Sequence, residues 1–391
     1  MVIEPKIRNN ICLNAHPLGC AQQVKAQINY IKAQDKIKSP ERVLVIGASN
    51  GYGLAARIVS TFASGASTIG IGYERPSTET RTGTAGWYNI ESCKKEAEKE
   101  GYQAWNINGD AYSKEVKSEV ADIIDGNLGK IDLLIYSIAA PRRIDPETGE
   151  IYSSVIKPIG EKYTSKTVDF FTGEVKEITA EPATEEEIAH TVKVMGGEDW
   201  RLWVKTLEGA SLLAEKFITV AFSYIGPPFT NPIYRHGTIG RAKAHLEESV
   251  VEINRTLEHL GGKSIISVNK ALVTRASAVI PGVPLYISLL YKVMKAKKLH
   301  EGCIHQMRRL YDDHLFSGGA LRTDYKGRIR LDDWETREDV QKEVARLWER
   351  VTTENVSVLS DIDGFREEFL RHHGFGMPGV DYGKDIRPDI F

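Results

Sequence analysis

Short apolar runs alternate with amphipathic stretches in the first part of the chain. Residues 43–46 form an aliphatic run with the composition of a buried parallel strand. Leu54, Ile58 and Phe62 then recur every fourth residue, which places them on one face of a helix. Consecutive βα units of this kind predict an α/β fold with a doubly wound parallel sheet. Further apolar strands of this series are predicted at 68–73, 102–107 and 131–138.

The second half of the chain continues the pattern with longer elements. A helix is predicted at 207–216, and strands are predicted at 217–222 and 265–273. Between these two strands, apolar residues from Ile239 to Leu260 repeat at spacings of three and four, which predicts one long helix. The remainder of the chain is predicted to be mostly helical.

The rhythm breaks between residues 142 and 200. Two Thr-Gly turns, at 148–149 and 172–173, lie between short alternating segments, as in β-hairpins. Thr184 followed by three glutamates then predicts the start of a helix. We expect 142–200 to be an inserted hairpin and helix subdomain that shapes a substrate site, with a decorative flap as the alternative.

A glycine-rich turn connects the first predicted strand to the first predicted helix. Its glycines, Gly47, Gly51 and Gly53, have the spacing G-x-x-x-G-x-G, which differs from the commoner G-x-G-x-x-G. A strand, a glycine turn and a helix in this order surround one small volume with backbone N–H groups and the positive end of a helix dipole. A diphosphate fits such a volume, so the turn predicts a bound dinucleotide.

An acidic residue at the end of the second strand supports this interpretation. Glu74 follows Gly53 by 21 residues, about the distance at which a carboxylate binds the adenosine ribose. The alternative is a tight structural turn followed by an ordinary surface glutamate. Because Glu74 repels a 2′-phosphate, NADH is favoured over NADPH, although the adjacent Arg75 moderates the preference.

These features predict one enlarged Rossmann-type domain over residues 1–391. We assign its cofactor-binding core to 41–140 and 201–282. Residues 283–391 are predicted to be substrate-covering helices and a C-terminal extension.

Composition narrows the class of protein. A net charge of −2 over 391 residues gives no reason to expect nucleic acid as a partner. The four cysteines are scattered without metal-ligand spacing, so no metal site is predicted, and such cysteines suit a reducing cytosol. The first residues lack an apolar signal region, and no stretch approaches the roughly 20 apolar residues of a membrane span. A cytoplasmic protein without membrane insertion is therefore expected.

Tyr234 and Lys243 are the candidate reacting groups. Reduction at a nicotinamide requires a proton donor or an oxyanion partner, and a tyrosine serves if a nearby ammonium lowers its pKa. Nine helical steps place two side chains on opposite faces, so cooperation requires Tyr234 to lie in a loop before the long helix. The alternatives are loop packing for Tyr234 and a snorkelling side chain for Lys243.

Other candidates lie at the predicted strand ends. Tyr224 follows the fifth strand, and its hydroxyl either points into the cleft or packs against Pro227 or Pro228. Asp110 either faces the adenine ring or caps the following helix. A second pair, Tyr291 and Lys295, has the three-residue gap of ordinary short-chain dehydrogenases. We reject that pair because it falls inside a helix after the sixth strand.

The chain resembles the trans-2-enoyl-CoA reductases and the related V-type enoyl-acyl carrier protein reductases, which are enlarged relatives of the short-chain dehydrogenases. The resemblance spans essentially the whole length. Its most specific element is the gap of eight residues between Tyr234 and Lys243, since ordinary relatives use gaps of three or six. Five further motifs carry the resemblance: 47–53, 73–74, 223–226 (Ser-Tyr-Ile-Gly), 328–334 (Arg-Ile-Arg-Leu-Asp-Asp-Trp) and 379–382.

The resemblance implies reduction of the C2=C3 double bond of a 2-enoyl thioester with NADH. It implies Tyr234 as proton donor, Tyr224 as a second hydroxyl on the substrate carbonyl, and Lys243 as a ligand of the cofactor ribose. The residue that protonates C2 stays open. The other cofactor contacts that it implies are Gly47, Ala48, Ser49, Asn50, Gly51, Tyr52, Tyr73, Glu74, Asp110, Ala111, Ile138, Ala139, Leu272, Val273 and Thr274.

Three functions remain in competition at this point. An acyl-CoA thioester such as crotonyl-CoA is the expected substrate, with an acyl carrier protein thioester as the alternative carrier. A 3-ketoacyl reductase would use the same tyrosine and lysine, and an NAD-binding sensor would need neither. The resemblance also implies a monomer.

Overall fold

The computed structural model describes residues 1–8, 10–274 and 277–391. In chain order its strands are β1 (Ile7–Arg8), β2 (Ile11–Cys12), β3 (Arg42–Ile46), β4 (Ser67–Gly72), β5 (Ala104–Asn108), β6 (Ile131–Tyr136), β7 (Arg142–Ile144), β8 (Ile151–Ser153), β9 (Tyr163–Val168), β10 (Val175–Ala180), β11 (Leu213–Ser223), β12 (Lys263–Val268) and β13 (Ile329–Arg330). The α-helices are α1 (Pro17–Lys32), α2 (Gly51–Ser64), α3 (Ala85–Lys99), α4 (Lys114–Ile123), α5 (Glu185–Met195), α6 (Glu198–Gly209), α7 (Thr238–Leu257), α8 (Val283–Ala296), α9 (Cys303–Arg309), α10 (Glu338–Arg350), α11 (Val356–Leu359) and α12 (Ile362–Arg371).

A parallel sheet of seven strands organises the fold, in the order β13-β12-β11-β6-β3-β4-β5. The chain builds outward from β3 to β5, then returns to β6 and builds outward on the other side. The predicted doubly wound parallel sheet is therefore confirmed. Its topological switch point lies between β3 and β6, where sheets of this kind bind ligands beyond the carboxyl ends of the strands.

Apolar side chains on both sides of the sheet explain why these segments form strands. In β3, Val43 and Val45 pack on one side with α2, while Leu44 and Ile46 pack on the other side with α4 and α6. All four side chains are fully buried. Such continuous burial is typical of a parallel strand covered by helices on both faces.

Two predicted boundaries in the second half are wrong. The helix predicted at 207–216 ends at Gly209, and β11 already begins at Leu213, which pairs with Ile131. The strand predicted at 265–273 ends at Val268. Beyond it the backbone N–H groups of Lys270 and Ala271 donate to side chains, at 3.0 and 2.7 Å, instead of to a neighbouring strand. Tertiary hydrogen bonds, which a sequence pattern does not reveal, end this strand.

Residues 142–200 contain two pairs of strands and helix α5. β7 pairs with β8 and β9 pairs with β10, both antiparallel, and Gly149 and Gly173 adopt positive φ in the two loops. Thr184 and Glu187 form a capping box at the start of α5. The segment is attached to α7, because the N–H of Thr238 donates to Lys157 O at 3.0 Å and α5 packs along α7.

The C-terminal part adds the seventh strand and a helical layer. β13 pairs with β12 at the edge of the sheet, an element that the sequence pattern did not predict. Helix α8 is almost entirely buried, and α10 and α12 pack against it. Among the described residues, no helix is both long enough and apolar enough to span a bilayer.

Candidate active site

The glycine turn lies at the switch point of the sheet. Added side chains at Gly47 and Gly53 would collide with backbone: a Cβ at 47 would lie 2.2 Å from Ser137 O, and one at 53 would lie 2.0 Å from Gly47 O. Gly51 adopts φ +54° and begins α2. The two outer glycines are therefore required for packing of the turn itself, besides leaving room for a ligand.

The backbone of the turn fits a diphosphate. The N–H groups of Gly47 and Ala48 donate to Ile71 O at 3.0 and 2.8 Å, which fixes the turn to β4. Ser49, Asn50 and the first turn of α2 follow. The N–H groups at the start of a helix have no partner within the helix and carry its positive end, which suits an anion.

Glu74 lies beside this turn, as predicted. Its Oε1 accepts hydrogen bonds from the hydroxyl of Ser49 at 2.8 Å and from Nδ2 of Asn50 at 3.3 Å. Its backbone is held by Asn108, with Glu74 N donating to Asn108 Oδ1 at 2.7 Å. A Cβ at Gly86 would lie 2.2 Å from the carboxylate, so α3 approaches Glu74 closely. The structure thus brings the glycine turn and the acid together.

Five other predicted cofactor residues lie at strand ends on the same edge. Tyr73 is 79% exposed. After β6, Ile138 is half-buried and Ala139 is exposed. Asp110 accepts the N–H of Tyr112 at 2.9 Å and therefore shapes its own turn, while Ser113 caps α4. The adjacent Ala111 provides its carbonyl to Lys117 and Trp203, at 2.8 and 3.1 Å.

The segment 272–274 adjoins the turn, but several of its backbone groups form hydrogen bonds with other side chains of the protein. A Cβ at Gly51 would lie 3.6 Å from the methyl group of Thr274. Val273 N donates to the hydroxyl of Tyr291 at 3.1 Å, and Val273 O lies 2.8 Å from Nε2 of His372. The side chains of Leu272 and Val273 are buried.

Lys243 and Tyr52 both contact Phe222, near the end of β11. The Lys243 ammonium donates to Phe222 O at 3.0 Å, and the Tyr52 ring contacts the Phe222 ring edge to face at 5.9 Å. The Tyr52 hydroxyl is turned away and donates to Lys270 O at 2.7 Å. Burial lowers the pKa of Lys243 to about 8, against the opposing effect of Glu247.

Tyr234 lies in a loop before α7, as its spacing from Lys243 requires. Its carbonyl accepts the N–H groups of Gly237 and Gly240 at 3.1 and 3.0 Å. A Cβ at Gly240 would lie 1.9 Å from Arg235 O, so only glycine allows this loop to fold against the helix. Burial raises the pKa of the Tyr234 hydroxyl, which keeps it protonated at neutral pH. In the described part of the chain no hydrogen bond joins it to Lys243.

Tyr224 and Tyr234 form the centre of the candidate site. Their rings meet edge to face, with centroids 4.9 Å apart and planes at 78°. The Tyr224 hydroxyl lies 2.9 Å from Oε1 of Glu335, rather than packing only against the prolines that follow it. Gly226 adopts φ +79°, and a Cβ there would lie 3.2 Å from this hydroxyl.

The sequence analysis missed two sets of residues. Glu335, fully buried, supports Tyr224 from beyond the 328–334 motif. Glu247, one turn after Lys243, binds Arg235 at 3.1 Å and Arg328 at 3.2 Å. These contacts connect the Tyr234 loop and α7 to β13. The charged motif at 328–334 was the available signal. It contains Arg328, which binds Glu247, and Glu335 follows it directly.

The rejected pair, Tyr291 and Lys295, has structural contacts instead. The Tyr291 ring is fully buried, and Lys295 forms an ion pair with Asp361 at 2.5 Å. Within the described residues, no group of three or more His, Cys, Asp or Glu side chains could hold a metal ion.

Three family models match the chain. One, described as the trans-2-enoyl-CoA reductase catalytic region, covers residues 81–316, and another, described as the NAD(P)H binding domain of trans-2-enoyl-CoA reductase, covers 2–79. The chain belongs to the trans-2-enoyl-CoA reductase family. The expectation drawn from its motifs is confirmed.

Full-length relatives carry two names within this family. An enoyl-acyl-carrier-protein reductase (NADH) of Cytophaga hutchinsonii is 55% identical over 390 residues, which are 100% of this chain and 98% of the relative. A trans-2-enoyl-CoA reductase (NADH) of Clostridium perfringens is 55% identical and covers 99% of both chains. The crystal structure of Clostridium acetobutulicum trans-2-enoyl-CoA reductase in complex with NADH has a TM-score of 0.97 at 45% identity, over 100% of this chain and 98% of that one.

The third family model, over residues 323–386, is described as an enoyl reductase FAD binding domain. In this reductase the region contains β13 and helices α10–α12. β13 runs directly into Leu331 and Asp332, without the glycine turn that follows β3. The helices pack their apolar faces against α8. These residues do not fit a flavin dinucleotide, and no step proposed below uses one.

Proposed function

We propose that this protein reduces the C2=C3 double bond of short-chain trans-2-enoyl-CoA thioesters with NADH, as in the conversion of crotonyl-CoA to butyryl-CoA. The observation that carries the proposal is the ring contact of Tyr224 with Tyr234 just after β11, whose Phe222 binds Lys243 through its carbonyl and Tyr52 through its ring. The names of the full-length relatives support the same reaction.

The residues of the cleft fit NADH. The start of α2 suits the diphosphate, and Glu74 suits the adenosine ribose and disfavours a 2′-phosphate. Lys243, anchored on Phe222 O, would hold the nicotinamide ribose. When bound, NADH supplies a hydride to C3 of the substrate.

The two tyrosines would stabilise the charge that then develops on the thioester oxygen. Burial raises the pKa of Tyr234, so its hydroxyl is neutral at physiological pH and would donate a hydrogen bond to this oxygen. Tyr224 would provide the second hydroxyl. A half-buried site strengthens both hydrogen bonds because water competes less for the oxygen.

The carrier of the acyl group has two candidates, because relatives at 55% identity bear both names. Two basic side chains that would suit the coenzyme phosphates by their charge are paired with acids of the protein itself. Arg143 is buried and pairs with Glu198 at 3.3 Å, and Lys297 pairs with Asp339 at 3.1 Å. We retain coenzyme A as the proposed carrier and acyl carrier protein as the alternative.

One assay tests the function and its alternatives. NADH consumption is measured with crotonyl-CoA, with the same acyl group on acyl carrier protein, and with acetoacetyl-CoA. Faster turnover of the carrier-protein thioester would favour the alternative carrier. Consumption with acetoacetyl-CoA alone would indicate a ketoacyl reductase, and none with any substrate would indicate an NAD-binding sensor.

We also propose that the enzyme is a monomer in the cytoplasm. Sedimentation equilibrium on the purified chain tests the first point, and fractionation of cells that express it tests the second. A mass of twice 43.6 kDa or a higher multiple would contradict the monomer.

A further inference from the structure

A buried carboxyl group lies behind Tyr224. The side chain of Glu335 is fully buried, and three polar groups contact it. The hydroxyls of Tyr224 and Tyr286 both contact Oε1, at 2.9 and 2.5 Å, and the N–H of Ala271 donates to Oε2 at 2.7 Å. Its position is therefore closely constrained, and Tyr224 is its connection to the cleft.

The direction of the hydrogen bond between Glu335 and Tyr224 decides what Tyr224 offers to a substrate. A phenol has one proton. If Glu335 is a carboxylate, Tyr224 donates that proton to it and presents only lone pairs to the cleft. If Glu335 is a carboxylic acid, it donates to the Tyr224 oxygen, and the Tyr224 proton is free for a substrate oxygen.

We propose that Glu335 is a positioning residue that, as the neutral acid, donates a hydrogen bond to Tyr224 and so directs the Tyr224 hydroxyl proton to the thioester oxygen. This inference rests on the proposed function. It assigns to the 328–334 motif the task of placing Glu335, since Asp332 N donates to Val268 O at 3.2 Å and holds this segment against the end of β12.

The surroundings of Glu335 support the neutral form. Burial raises the pKa of Glu335, and the charge of Asp332 acts in the same direction. The ammonium of Lys270, the hydroxyl of Tyr286 and the N–H of Ala271 oppose this effect, and burial outweighs them. Lys270 is itself buried, and its ammonium donates to Ala271 O at 3.0 Å instead of to Glu335.

Tyr286 provides an internal control. Its hydroxyl contacts the same Oε1, but it accepts from Nε2 of Gln341 at 3.2 Å and its ring packs against Phe229. Tyr286→Phe therefore removes one contact of Glu335 while the Tyr224 hydroxyl stays in place. A role of Glu335 in folding alone would make Tyr286→Phe and the Glu335 variants behave alike.

The test compares kcat for crotonyl-CoA reduction, the dissociation constant of NADH and the Tm of five variants. Glu335→Gln mimics the neutral acid, since its amide donates to Tyr224 while its oxygen accepts from Ala271. We expect it to retain kcat within about threefold of the wild type. Glu335→Ala, and Glu335→Met with a side chain of similar length, should lose about tenfold or more in kcat, with NADH binding preserved. Tyr224→Phe should match them, and Tyr286→Phe should stay within about twofold.

The double variants show whether Glu335 acts through Tyr224. In the Tyr224→Phe background, Glu335→Ala or Glu335→Met should change kcat less than twofold, because residues that act through one contact are not additive. The proposal is overturned if Glu335→Gln falls to the level of Tyr224→Phe, if both apolar variants keep wild-type kcat, or if their effects add. If the apolar variants do not fold, the Glu335→Gln comparison decides alone. A wild-type enzyme that consumes no NADH with any enoyl thioester would instead refute the proposed function.

Discussion

The rings of Tyr224 and Tyr234 meet edge to face at 4.9 Å, and nine residues lie between them in the chain. One follows β11 and the other lies in the loop that leads into α7. Two phenols held by separate elements of the fold thus approach the same volume.

Tyr234→Phe tests the role of the second phenol. Removing the hydroxyl leaves the ring contact with Tyr224 but deletes a donor to the developing negative charge. We expect kcat to fall by about 100-fold or more, with the dissociation constant of NADH within about threefold of the wild type. Steady-state assays and NADH fluorescence titration measure the two quantities. Wild-type turnover from this variant would remove Tyr234 from the mechanism.

Glu74→Ala tests cofactor selection. The Glu74 carboxylate, positioned by Ser49 and Asn50, should repel a 2′-phosphate and bind the ribose hydroxyls of NADH. We expect the ratio of kcat/KM for NADH over NADPH to fall by about tenfold, which corresponds to about 1.4 kcal/mol. Glu91→Ala, which removes an acid on α3 that accepts a hydrogen bond from Asn106 Nδ2 at 2.9 Å, serves as a control. An unchanged ratio would show that Glu74 does not select the cofactor.

The pH dependence of cofactor capture should report Lys243. Burial lowers the pKa of its ammonium to about 8, so the positive charge is present below that pH and is lost as pH rises through it. We expect kcat/KM for NADH to decline above about pH 8. Lys243→Arg keeps its charge in this range and should move or abolish the decline. A profile with the same decline in both proteins would assign the titration to another group.

Gly240→Ala tests the loop that carries Tyr234. A methyl group at this position would lie 1.9 Å from Arg235 O, so the loop must move away from α7. We expect a loss of about 1–3 kcal/mol in the free energy of unfolding and a fall of at least tenfold in kcat. Gly209→Ala, where the added methyl group meets nothing within 4 Å, is the matched control. Equal behaviour of the two variants in denaturant titration and turnover would contradict this account.

Local patterns explain how much of the cofactor side was predictable. A buried parallel strand, a glycine turn and an amphipathic helix occupy one continuous stretch, and Glu74 follows at the end of the next strand. The position of Tyr234 in a loop before α7 was also predictable, because two residues nine steps apart on one helix lie on opposite faces. The range 207–216 failed because Leu207, Ala210 and Ala214 repeat at helical spacings of three and four across the end of α6 and the start of β11.

The sequence by itself determined the βα order, the position of the glycine turn and the residues that carry the family motifs. Only the tertiary structure decided that Glu335 lies behind Tyr224, 111 residues earlier in the chain, and that Glu247 connects α7 to Arg328. The tertiary structure also decided where β12 ends. The N–H groups of Lys270 and Ala271 donate to side chains of α9 and of the segment after β13. The physical reason is that hydrogen bonds of buried polar groups depend on which distant elements meet, whereas periodicity records only which face of each element is buried.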